Sequence, residues 1–137
     1  MFDSIMNLSR NGKALVIIVL FNLSFGGFLV WMDLYRFNDA GSATTVLIIY
    51  VLTALFAALF LSGKPIGLKA LIGLEVFFII MQTIFVVASL SQVTDAGLHN
   101  PVDNWWTAIL QYLFNALTLI FAVRTYKELA PNLAQKS

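Results

Sequence analysis

Residues 71–87 read LIGLEVFFIIMQTIFVV. One carboxyl, Glu75, is the only charged side chain in this oily run, and the apolar stretch around it extends over residues 67–90. A helix needs about 20 such residues to cross a bilayer. The run shows none of the period-two alternation of a membrane β-strand, so it reads as a transmembrane helix. A carboxyl inside such a helix is costly and marks a place where the interior does more than pack.

Three further runs of the same kind surround it, at residues 13–32, 45–62 and 104–126. The turn SGKPIG (62–67) carries Pro65 and Gly67 as helix breakers. It is too short for anything but an antiparallel hairpin. The connections DLYRFNDAGSA (33–43) and SLSQVTDAGLHNPVDN (89–104) are longer. The expected fold is all-α: an integral membrane bundle of four transmembrane helices in two tandem hairpins. Residues 1–12 read as an interfacial head, with Phe2, Ile5 and Met6 at helical spacing, and 127–137 as a tail that frays after Pro131. The first run follows Arg10 and Lys13 as a signal peptide would, but its length and the lack of a prompt small-residue cleavage site favour a retained span.

Composition agrees. Of the 137 residues, 60% are hydrophobic and 11% charged, with mean hydropathy +0.87. A soluble domain is about 25% charged, so most of this surface is built for lipid. The net charge of +1 gives no reason to expect nucleic acid. The absence of cysteine excludes disulfides, thiolate metal sites and cysteine nucleophiles.

Orientation follows from the basic residues. Arg10, Lys13, Lys64, Lys69, Arg124, Lys127 and Lys136 fall at one end of the spans, and only Arg36 at the other. The positive-inside rule puts both termini in the cytoplasm, in a plasma or inner membrane. Trp31, Trp105 and Trp106 then fall at the outer interface, where amphipathic rings prefer to sit.

Each span has one face of polar and small residues. Asn22 and Gly26 share one on the first span, and Tyr50, Thr53, Ala54 and Ala57 one on the second. Glu75, Gln82 and Ser89 recur every seventh residue on the third; Ala108, Gln111, Asn115, Thr118, Ala122 and Thr125 step by threes and fours on the fourth. These spacings align side chains along one side of a helix. The bland reading is a bundle seam in which small residues allow close approach and amides bond across it. Depth sharpens it: Asn22, Thr53, Glu75 and Thr118 each lie roughly 12–14 Å from the helix ends that carry the basic residues. The candidate site is therefore an intramembrane polar cluster of Glu75, Asn22, Thr53, Gln82, Gln111, Asn115 and Thr118.

No lysine, arginine or histidine lies within the apolar interior of a span to neutralise Glu75, and no span holds a histidine to activate a hydroxyl, so no enzyme activity and no cofactor are expected. His99 with Asp95 and Asp103 reads as a solvated loop rather than a metal site. Two functions remain. The first is a non-enzymatic accessory or assembly subunit that meets other membrane subunits or its own copies. The second is a small oligomeric proton-coupled transporter or channel using Glu75.

A faint internal repeat accompanies this pattern. KALVIIVLF (13–21) aligns with KALIGLEVF (69–77), and IIYVLTALFAALF (48–60) with LQYLFNALTLIFA (110–122). Such a repeat would relate two hairpins by an axis along the membrane normal.

Overall fold

The computed structural model describes residues 8–35, 38, 40–96 and 105–136. They form four helices: α1 (Arg10–Tyr35), α2 (Ala40–Leu61), α3 (Pro65–Ala96) and α4 (Trp105–Lys136). Each is long and apolar enough to cross a membrane. Contacts run α1–α2, α2–α3, α3–α4 and α4–α1, so the helices close a square in chain order. The protein is an integral membrane four-helix bundle.

Every helix is longer than its expected span, although α2 ends and α4 begins one residue inside it, because the polar residues at a helix end need not leave the helix when they leave the hydrocarbon. The largest difference is at the tail. Residues 127–136 continue α4 without a break, with Pro131 inside the helix. Proline removes one backbone donor there, but the preceding turn is anchored. Leu129 packs on the core, and the Glu128 carboxylate accepts a hydrogen bond from Asn11 Nδ2 at the start of α1. The head at residues 1–7, the His99 loop, and the side chains of Ser89, Trp105, Trp106 and Ala108 lie outside the described residues.

Local chemistry sets the helix ends. Ser9 caps α1: its Oγ accepts from Gly12 N–H at 3.1 Å and its carbonyl from Lys13 N–H at 2.9 Å. At the end of α2, Gly63 takes φ 86°, the left-handed conformation that glycine adopts without penalty. Gly63 N–H then bonds the Phe60 carbonyl and Lys64 N–H the Leu59 carbonyl, each at 3.0 Å, which is a Schellman cap. Pro65 opens α3 at the position where its missing donor is harmless.

The surface is that of a membrane protein. Ile17, Phe21, Leu47, Val51, Phe77, Ile84, Leu113 and Ile120 all point outward. Exposed apolar side chains on every helix suit a lipid environment and would be a liability in water. Inside, the core divides into two zones. At the end carrying the termini, Leu15, Val19, Phe60, Leu68, Leu71 and Ala122 form an apolar plug. The next layer towards the middle is polar.

Candidate functional site

The polar layer takes one buried side chain from each helix: Asn22 on α1, Thr53 on α2, Glu75 on α3 and Thr118 on α4. All are at most 2% exposed. Gln82 and Asn115 are buried one to two turns further from the plug, and Gln111 is half-buried. Thr125, on the same face of α4, is buried on the plug side.

The threonines are largely self-contained. Thr53 donates to the Ile49 carbonyl, Thr118 to Phe114 and Thr125 to Phe121, at 2.7–3.0 Å. A hydroxyl that bonds its own helix satisfies its donor without a partner and keeps its oxygen as an acceptor. Thr118 uses that capacity, accepting from Asn22 Nδ2 at 3.4 Å.

The amides form a directed chain. Asn22 Nδ2 donates to Asn115 Oδ1 at 3.1 Å, Asn115 Nδ2 to Gln82 Oε1 at 3.5 Å, and Gln82 Nε2 to Gln111 Oε1 at 2.6 Å. The middle link is long and correspondingly weak. The chain ties α1, α4 and α3 together and leads from the polar layer away from the plug. The structure thus joins four of the seven candidate residues directly, and Thr118 through Asn22. Thr53 and Glu75 share the layer without joining the chain.

Tyr50 belongs to this site as well. Its ring lies against Gly26, where an added Cβ would stand 2.5 Å from Tyr50 Cγ, and meets Phe78 edge-on at a centroid separation of 6.3 Å. Its buried hydroxyl makes no hydrogen bond among the described residues. The sequence signal was present in Tyr50 and Gly26 on facing small-residue stripes. What periodicity does not show is that a tyrosine fills the space above a glycine.

Among the described residues, three buried polar atoms lack a protein partner: Asn22 Oδ1, the Tyr50 hydroxyl and Glu75 Oε2. Native interiors rarely leave such atoms unpaired, since each costs about 1–3 kcal/mol. They come from three helices and lie within about one helical turn of a common level.

Two lateral features complete the site. An apolar crevice of about 290 Å³ opens between α1 and α2, lined in part by Gly26, Gly27, Leu47, Val51 and Ala54. A second, of about 190 Å³, lies between the same helices nearer the plug, beside Ala57 and Ala58. On α4, Leu113 points outward, whereas Phe121 is half-buried against the plug, with the Arg124 guanidinium 5.6 Å from its ring centroid. Comparison of the chain with known protein families, curated proteins and solved structures finds no match.

Proposed function

We propose that this protein is a small proton-linked membrane transporter or channel in which Glu75 takes up and releases the proton. One observation carries the reading. Glu75 is a carboxyl buried in the middle of the bundle, and its Oε2 meets neither a cation nor a hydrogen-bond donor of the protein. A group held only as structural glue would spend its oxygens on neighbouring helices, as the amides of Asn115 and Gln82 do. Intramembrane carboxyls with uncommitted oxygens suit ion and proton pathways. Burial of Glu75 among its own four helices also argues against pairing with a basic residue of another subunit across the lipid face. The amide chain running from the polar layer towards Gln111 supplies polar surroundings on one side only, and the apolar plug closes the other.

The basic asymmetry supports placing both termini, and hence the plug, on the cytoplasmic side, with the Gln111 end facing out. The test is proton flux into liposomes containing the purified protein, under an imposed pH gradient and potential. The parent should conduct, and Glu75→Gln, which keeps the shape of the head group, should lose flux while extracting and assembling as the parent does. A parent that moves no protons, or a variant that still does, overturns the reading.

A second reading, as an accessory subunit of a larger membrane complex, is favoured by the crevice between α1 and α2. Glycine and alanine there let a foreign helix approach closely. Native mass spectrometry after gentle extraction separates the two: stoichiometric foreign subunits select the accessory role, and a chain alone or with its own copies selects the first.

A further inference from the structure

The two crevices between α1 and α2 meet at Leu23 and Ala54, which line both. The one nearer the plug follows α1 from Leu15 to Leu23, a length of about 12 Å at the helical rise. One leaflet of the hydrocarbon core is about 15 Å deep, half of the full core. This crevice therefore runs from the plug end of the bundle nearly to the middle of the membrane. Its lining side chains are all apolar, with Val16, Leu20 and Leu23 on the α1 wall and Ala54, Ala57 and Ala58 on the α2 wall.

Two cations stand at its mouth. Lys13, Val16, Leu20, Leu23 and Gly27 step by threes and fours, so Lys13 heads the α1 wall on the same helix face. Lys64 follows the α2 wall three residues after Leu61, which lines the crevice, and its N–H is fixed to the Leu59 carbonyl at 3.0 Å. Both lysines are exposed, and neither ammonium has an ion pair or ring contact among the described residues. Elsewhere at this end, Lys69 lies over the Tyr126 ring and Arg124 over the Phe121 ring, on the α3–α4 side. We propose that the α1–α2 crevice is a binding site for one anionic glycerophospholipid, its acyl chain in the slot and its head group at Lys13 and Lys64.

An apolar slot about one leaflet deep with positive charge at its mouth matches the two parts of such a lipid. The dimensions favour a chain over a helix. Spread along the crevice, 190 Å³ leaves a cross-section of roughly 16 Å², whereas a helix is about 10–12 Å across. The α1 wall also carries Leu20, 59% exposed, where a close-packed helix would need a small residue. A zwitterionic head group would bring its own cation to the lysines. The site is independent of what Glu75 does.

The test is native mass spectrometry of the full chain, stripped of lipid in detergent and titrated with dioleoyl phosphatidylglycerol or dioleoyl phosphatidylcholine. One phosphatidylglycerol should bind per chain, and phosphatidylcholine about tenfold more weakly or worse, since each cation near an anionic head group is worth about fivefold. Lys13→Gln combined with Lys64→Gln should remove the preference. Lys127→Gln, at the same end but on α4, should leave it in place. Ala58→Phe fills the slot and should weaken both lipids. A diazirine in the acyl chain of phosphatidylglycerol should label α1 and α2 in preference to α3 and α4. Equal affinity for the two lipids, a preference that survives loss of both lysines, parent-like binding by Ala58→Phe, or even labelling of all four helices overturns the proposal. A photo-crosslinker attached at Leu20→Cys that captures a second copy, a foreign subunit or residues 1–7 of the chain instead of lipid overturns it as well.

Discussion

Asn115 joins three helices of the bundle. It accepts from Asn22 and donates to Gln82, so one residue of α4 links α1 to α3. Replacing it with leucine removes both bonds, leaves the Gln82 oxygen without that donor, and throws Asn22 back on Thr118 alone. Intramembrane hydrogen bonds contribute about 0.6–2 kcal/mol each, and one of these two is long. Asn115→Leu should therefore lower stability by roughly 1–2 kcal/mol, measured as the unfolding midpoint in mild detergent titrated with a denaturing one. An unchanged midpoint would mean the amide chain carries no weight in the fold. The residues of this chain were readable from spacing alone, because a step of three or four places side chains on one face. Their partners were not: spacing gives a face and a depth, whereas the choice of Asn22 for Asn115 depends on helix rotation to within a rotamer.

At the scale of elements, the α2–α3 hairpin is held by glycines in two different ways. Gly63 is needed for its conformation, and Gly67 for space. A Cβ on Gly67 would stand 2.5 Å from Phe60 N and 2.6 Å from the Phe56 carbonyl oxygen, both backbone atoms that no rotamer change can move. Gly67→Ala should thus spread the hairpin at a cost of about 1–3 kcal/mol, the range for overpacking. Gly63→Val should cost about 1–2 kcal/mol from the left-handed backbone alone. Gly73, on the same helix as Gly67, has open space where its Cβ would be. Gly73→Ala should be neutral or gain up to about 1 kcal/mol from helix propensity. Equal effects of the alanine substitutions at Gly67 and Gly73 would contradict the packing described for the turn. The hairpin itself was legible in SGKPIG. The internal repeat also has a structural counterpart: Leu15 and Leu71 are both fully buried, Val19 and Glu75 both face inward, and Phe21 and Phe77 both face lipid. The likeness stops at the tyrosines. Tyr50 is buried above the polar layer, while Tyr112 bonds Thr83 in an exposed setting. A repeat in apolar periodicity thus carries over the inward and outward faces, while the polar residues differ: Glu75 stands at the place of Val19, Asn115 at that of Thr53 and Gln111 at that of Ile49.

For the whole molecule, the decisive asymmetry is between its two ends. Four antiparallel spans in chain order bring the start of α1, the α2–α3 turn and the end of α4 to one end. Arg10, Lys13, Lys64, Lys69, Arg124 and Lys127 are all exposed there. Translocating that many cations is opposed during insertion, so this end should remain cytoplasmic and the α1–α2 connection should face out. The same end holds the apolar plug, so topology and the direction of the amide chain are one question. Single cysteines at Lys64 and Asn38, both exposed in the structure, report on the two ends. The chain has no cysteine of its own to confuse the labelling. In intact cells a membrane-impermeant maleimide should label Asn38→Cys and leave Lys64→Cys unreacted until the membrane is opened. Labelling of Lys64→Cys from outside would invert the bundle and turn the Gln111 end towards the cytoplasm. If the expected topology holds, Glu75 is approached through polar side chains from the outer face and sealed by Leu15, Leu68 and Leu71 from within. A proton taken from outside could then reach the cytoplasm only if the plug loosens. Replacing plug leucines with alanine, as in Leu71→Ala, should accordingly raise proton flux in liposomes while Glu75 is intact and leave it absent in the Glu75→Gln background. Flux raised equally in both backgrounds would show a leak around the bundle rather than a path through Glu75.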